Sequence, residues 1–182
     1  MTMLATETAA TAAHRTSIHT LDTLAARSLD ELAALYRAAR CPTSMRAADG
    51  ALVGRMLAMR GVPAPIARRL RAWAAAPSFV WEGKSFHASG DARGDGYNRV
   101  SIPRVLGKQR LFPFATSFGP SAIDGAPTLV LDYELAVNPP YIQRIHDEIR
   151  EVSPGLFLGP AMWKSRERKT LVLWFALDSR LS

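Results

Sequence analysis

Few side chains in this sequence are of a type and placing that could do chemistry, and they fall after residue 78. Tyr133 stands in the stretch 127–135, Pro-Thr-Leu-Val-Leu-Asp-Tyr-Glu-Leu, bounded by Asp124-Gly125 and by Asn138-Pro139-Pro140. β-Branched and large apolar residues in alternation, with turn residues at both ends, predict a central strand. Tyr133 shares one face with Leu129, Leu131 and Leu135. A phenol on a leucine face can aim its hydroxyl at the carbonyl of a ligand and polarise it, or bond to nearby backbone as a core tyrosine does. Asp132 and Glu134 lie on the other face as an i, i+2 carboxylate pair; solvent-facing charges are the expectation there.

His87 ends a second alternating stretch, 79–89, and shares a face with Trp81 and Ser85. In an apolar lumen its imidazole would act as a base or a hydrogen-bond donor; at a strand end facing water it would do neither. Val80, Glu82, Lys84 and Phe86 take the other face, where Glu82 and Lys84 read as a surface pair. His146, next to Asp147, is expected on a wet surface. His14 and His19 lie in or near the N-terminal leader. The four histidines show no metal-ligand spacing, and one cysteine, Cys41, cannot build a cysteine-based zinc site, so no metal is expected. Dinucleotide, Walker, zinc-protease and nucleophile-elbow motifs are all missing, and the glycines of 90–96 read as a hairpin loop. The expectation is a site without a cofactor.

These candidates need a scaffold. The 182 residues suffice for one domain with a sizeable core. Residues 1–20 are small and polar and read as a disordered leader, leaving 21–182 as a single domain. Helical patterning opens at Ser28-Leu-Asp-Glu31, a capping box, and stops at Cys41-Pro42. A second helix is expected from Asp49-Gly50 to Arg60. A third is expected from Pro65, with Ile66, Leu70 and Trp73 on one stripe, Arg68, Arg69 and Arg71 around it, and an end at Pro77. From residue 78 the period changes to strands: 79–89, 97–102 ending at Pro103, 106–118 with a break at Pro113, then 127–135. A helix is expected over 140–152, with Ile142, Ile145, Ile149 and Val152 as its stripe. Strands 156–164 and 170–178 close the chain. The last is apolar on both faces, so it needs an interior on one side and covering helices on the other.

Most of the large aromatics fall in this strand half. Trp81, Ser85, Phe114, Leu131, Trp163 and Phe175 are the residues expected to line a pocket, with Tyr133 and His87 as its catalytic groups. Trp81-Glu-Gly83-Lys-Ser-Phe86 is similar to a Trp-x-Gly-x-x-Phe pattern in small bacterial lipocalin-like (calycin-type) barrels. Gly155-Leu-Phe-Leu-Gly159, followed by the strand to Asp178, resembles their final hairpin. The resemblance covers roughly residues 78–179. It implies a barrel with a central cavity for a small hydrophobic molecule, which some members only bind and others isomerise, cyclise or cleave without a cofactor. The helices expected at the N-terminus and over 140–152 depart from a plain lipocalin.

The fold expected is therefore α+β: N-terminal helices packed on a curved antiparallel sheet or lipocalin-like barrel. The function expected is binding of a small hydrophobic metabolite, with cofactor-free conversion or simple carriage as alternatives. The net charge of +7, from 23 basic and 16 acidic residues, raises the question of an anionic partner. Basic residues sit mostly in helices and turns rather than between exposed aromatics, which argues against nucleic acid. An anionic membrane surface is the weaker alternative for the third helix, which is expected to pack on the sheet instead. A second copy of the chain is an open partner. The lone cysteine and the lack of a secretory pattern point to the cytoplasm.

Overall fold

The computed structural model describes residues 19–76, 79–102 and 107–181, and within them the chain forms a closed antiparallel barrel of eight strands. The leader to residue 18, with His14, and the expected stops at Pro77 and Pro103 lie outside the described residues. Two short helices come first: α1 (Leu21–Ala25) and α2 (Leu29–Ala38), the latter opened by the Ser28–Glu31 capping box. A 3-10 turn (Met45–Ala48) leads into β1 (Gly50–Met59), and α3 (Ala64–Ala74) follows. The remaining strands are β2 (Trp81–Ala88), β3 (Arg93–Ile102), β4 (Gly107–Pro120), β5 (Pro127–Asp132), β6 (Ile145–Ser153), β7 (Leu156–Lys164) and β8 (Lys169–Asp178). Each strand pairs with the next, and β8 closes on β1.

Two expected helices are strands. Residues 50–59 are rich in Ala, Leu and Met, good helix formers, yet they pair with both β2 and β8 and complete the barrel. The barrel thus begins within the part of the chain expected to be helical. Residues 145–153 carry isoleucines at helical spacing, but only a 3-10 turn (Ile142–Arg144) precedes β6. There Asp147 and Ile149 face in with Ile145, while His146, Glu148 and Arg150 face out and are still buried. Tertiary pairing overrides local propensity at both places. With β6 a strand, the order is a plain up-and-down barrel.

The closing strand has the two-sided burial that its sequence requires. Leu173, Phe175 and Leu177 face the interior; Trp174 and Ala176 pack outward under Leu21 and Leu24 of α1 and Leu32 and Tyr36 of α2. One end of the barrel is filled by Met45, Ala48, Leu52, Phe86, Leu129, Ile149 and Phe157, all fully buried. Each such large side chain contributes roughly 1.5–3 kcal/mol on leaving water. The other end, ringed by the β1–β2, β5–β6 and β7–β8 connections, stays hollow.

A bulge decides what points into that hollow. The pairing of β2 with β3 slips between Trp81 and Gly83, so Trp81 and Lys84 both face inward. Gly83 has φ +133°, and a Cβ there would meet the Leu52 carbonyl oxygen and the Gly54 nitrogen. Across the barrel, Phe112 in a slip between β3 and β4 is held at φ +53°. A non-glycine residue in that region stores strain; its carbonyl accepts from Asn98 Nδ2 at 3.3 Å.

Candidate functional site

The hollow end holds a cavity of about 410 Å³. Met56, Val100, Leu111, Phe112, Ile142, Ile145, Ala161, Leu173 and Phe175 make its wall apolar. Its polar groups are concentrated in one cluster of four residues and an indole: Lys84 from β2, Asn98 from β3, Asp147 from β6, Tyr133 just past β5, and Trp81.

Lys84 is the centre of this cluster and is 3 % exposed. Its ammonium has three hydrogens and three acceptors: Asn98 Oδ1 at 2.9 Å, Tyr133 Oη at 2.5 Å and Asp147 Oδ2 at 2.9 Å. The rings of Trp81, Phe114, Tyr133 and Phe175 surround it with centroids 5.2–5.6 Å away, a cation–π cage. Tyr133 donates to Asp147 Oδ2 at 3.1 Å and accepts from Asn98 Nδ2 at 3.2 Å. The Trp81 indole N–H donates to Asn98 Oδ1 at 3.0 Å.

Burial pushes the Lys84 amine below its ordinary pKa, against the opposing pull of the Asp147 charge and hydrogen bond. Burial, and then the Asp147 charge, push the Tyr133 phenol well above its usual value. Tyr133 is therefore a hydroxyl, never a phenolate, at any ordinary pH. One atom of the cluster is left over. Asp147 Oδ1 is buried and has no hydrogen-bond partner among the described residues. Such an acceptor costs about 1–3 kcal/mol when it stays unmade, and this one belongs to a side chain that lines the cavity.

Of the residues singled out in the sequence, Tyr133, Trp81 and Phe175 line the cavity. Phe114 lies in the ring cage beneath it, and Leu131 sits deeper in the filled half. His87 does not reach the cavity: its side chain is 59 % exposed on the outside, 3.7 Å from Asp95. Ser85 is buried but absent from the lining, because the bulge at Gly83 puts it on the outer face. Trp163, paired with the inward-facing Ile145, is 37 % exposed at the end of β7 and is not part of the cavity lining. Asp132 and Glu134 are exposed partners of Lys164, at 3.0 and 2.9 Å.

Sequence reasoning missed Lys84 and Asp147. Lys84 was assigned to the surface on strict alternation from Trp81, which the bulge breaks; the glycine two residues after the tryptophan was the available signal. Asp147 was hidden by the helical reading of β6. His146, expected at the surface, is 5 % exposed and sits 3.0 Å from Glu148 Oε1 and 3.2 Å from Lys169 Nζ. Among the described residues no group of His, Cys, Asp or Glu side chains converges to hold a metal ion, and no helix is long and apolar enough to cross a membrane.

No family model and no curated protein matches the chain. A solved structure of a protein from Thermomonospora curvata is similar to it, with a TM-score of 0.50 and 16 % identity, over 84 % of this chain and 87 % of that one. The likeness supports the barrel fold.

Proposed function

We propose that this is a lipocalin-like pocket protein that takes a small, largely apolar molecule and rearranges it by proton transfer without a cofactor. The reaction class is that of an isomerase, cyclase or lyase acting beside a carbonyl. The observation that carries the reading is the unpartnered Oδ1 of Asp147, held in a buried cage of Lys84, Tyr133 and Asn98 on the wall of an otherwise apolar cavity. A carboxylate oxygen with no protein partner, on a side chain that lines the cavity, is an acceptor available to something that enters: an O–H, an N–H or an acidic C–H of the ligand. The neighbouring ammonium and phenol are the groups able to stabilise negative charge as it develops on the substrate. The apolar wall would fold the substrate into a reactive shape and exclude water.

The alternative is a noncatalytic carrier. It is favoured by one detail: all three donors of Lys84 are already taken, so a ligand oxygen must displace Tyr133 or Asn98 to reach it. One experiment separates the two. Native mass spectrometry of protein isolated from its own host identifies the bound molecule, which is then incubated with fresh protein. Conversion by the parent, lost in Asp147→Asn and reduced in Tyr133→Phe, supports catalysis. Recovery of the molecule unchanged leaves the carrier; undiminished conversion by Asp147→Asn overturns the assignment of the base.

A further inference from the structure

The open end of the barrel carries a second feature, independent of the cavity's polar cluster. The third helix was expected to bury its apolar stripe of Ile66, Leu70 and Trp73, and of these only Leu70 turns toward the barrel. α3 packs on β1 through small residues, with Ala74 buried and Ala67, Leu70 and Arg71 along a groove shared with Leu29 of α2 and Leu57 of β1. Ile66 is left 52 % exposed and Trp73 46 % exposed. On a helical wheel these two share the outer face with Arg69, and Arg68 lies farther round the exposed side, about 100° from Arg69. Both arginines are exposed, and neither forms a salt bridge among the described residues.

The same end shows this pairing of apolar and basic residues elsewhere. Val137 and Tyr141, in the β5–β6 connection, are 75 % and 59 % exposed, and Arg144 beside them is exposed. Arg166 and Arg168 stand in the β7–β8 connection, with Glu167 as the one carboxylate between them. Trp73 packs edge-to-face on Phe79 at 4.8 Å, and Phe79 in turn lines the cavity. The exposed patch is therefore continuous with the wall of the cavity. A water-facing tryptophan and tyrosine amid unpaired arginines is a poor surface for a free monomer. It is the composition of an interfacial segment: apolar side chains reach the acyl boundary while arginines meet phosphates.

We propose that the mouth of the barrel docks on an anionic phospholipid surface, with α3 lying in the headgroup region and the cavity opening toward the bilayer. Charge complementarity decides for this occupant over a second copy of the chain, since two such basic ends would repel each other.

The test uses the full chain and vesicles, first of phosphatidylcholine alone and then of equal parts phosphatidylcholine and phosphatidylglycerol. Cosedimentation and a blue shift of tryptophan emission are expected only with the anionic vesicles, and both should weaken as salt rises. Each surface arginine is worth roughly 1 kcal/mol, or about fivefold. Arg68→Gln/Arg69→Gln is therefore expected to lower partitioning roughly 25-fold, and Trp73→Ala to abolish the emission shift. Arg46→Gln, exposed at the opposite end of the barrel, serves as the control and should bind like the parent. These positions are exposed, so thermal melting should be unaffected. Three results would overturn the proposal: no binding to anionic vesicles at low salt, equal losses for Arg46→Gln and the α3 variant, or a dimer in light scattering that protects Trp73 and ignores vesicles. None of them bears on whether Asp147 is a base.

Discussion

Asp147→Asn gives the sharpest test of the buried cluster, because it removes one charge and leaves the shape. Lys84 would then stand 3 % exposed with neutral acceptors alone, Asn98 Oδ1, Tyr133 Oη and the amide oxygen that replaces the carboxylate. Stranding one member of a buried ion pair costs about 3–5 kcal/mol. For a chain of this length 1 kcal/mol moves Tm by roughly 2–4 °C, so the drop should be about 6–20 °C. The loss should also depend on pH, with a definite sign. The folded-state pKa of Lys84 already lies below its ordinary value, and Asp147 is what raises it; without Asp147 it falls further. Between that lowered value and the unfolded one, the unfolded chain holds a proton that the folded chain has released. Stability therefore rises with pH across this window, by up to about 1.4 kcal/mol per unit. The deficit of Asp147→Asn against the parent should be largest at the acid end of this window and shrink as pH rises through it. Urea denaturation of both proteins at a series of pH values reads this directly. A deficit below about 1 kcal/mol throughout, or one that grows with pH, would refute the placing of a charged Lys84 in a dry site. Lys84→Met/Asp147→Asn removes both charges and should recover most of the loss. A recovered but inactive double variant would mean that the pair is kept for chemistry rather than for stability.

Two further variants probe the frame of the site. Gly83→Ala puts a Cβ against the Leu52 carbonyl oxygen at φ +133°, so it should cost at least about 2 kcal/mol and shift Lys84; a melting temperature within experimental error of the parent would show that the bulge is not needed. Glu148→Gln should cost about 2–3 kcal/mol through weakened charge-assisted hydrogen bonds, with no change in cavity ligand affinity. Burial works against the Glu148 charge, but hydrogen bonds from His146, the Ala122 N–H and Ser121 outweigh it and hold the carboxyl below its usual value. That contribution is present above the unfolded pKa and is lost as pH falls through the folded one, so the variant's deficit in urea denaturation should vanish in acid.

Much of the barrel was legible because strand period and burial agree along β5, β7 and β8. Tyr133 was found that way: its face, with Leu129 and Leu131, is the interior face. The rest failed for identifiable reasons. In β1 helix-forming residues occupy strand positions, and only pairing with β2 and β8 fixes them. In β6 the polar residues that signal water in most sequences are covered by α2 and the turn after β4. On α3 the period was read correctly and the sidedness only in part: Leu70 turns toward the barrel with Ala67 and Ala74, while Ile66 and Trp73 stay exposed. The bulge at Gly83 is a register effect, and register is invisible to a count that assumes strict alternation.

Asp147 and Glu148 are consecutive residues on one strand, and the contrast between them decides which carboxylate is structural. Glu148 faces outward and is fully buried. Its Oε2 accepts from Tyr36 at 2.7 Å and Ser121 at 2.5 Å; its Oε1 accepts from the Ala122 N–H at 2.7 Å and lies 3.0 Å from His146 Nε2. Every lone pair has work inside the fold, tying α2 and the β4–β5 turn to the barrel wall. Asp147 faces inward, and only its Oδ2 is so engaged. A chain that satisfies both oxygens of one buried carboxylate and leaves an oxygen of the next one bare has not run short of donors. Asn98 spends its amide hydrogens on the Phe112 carbonyl and on Tyr133 Oη, and Tyr133 spends its one on Asp147 Oδ2. The bare oxygen is thus best explained by a partner that arrives through the open end, which makes Asp147 the residue whose substitution should alter what the cavity holds.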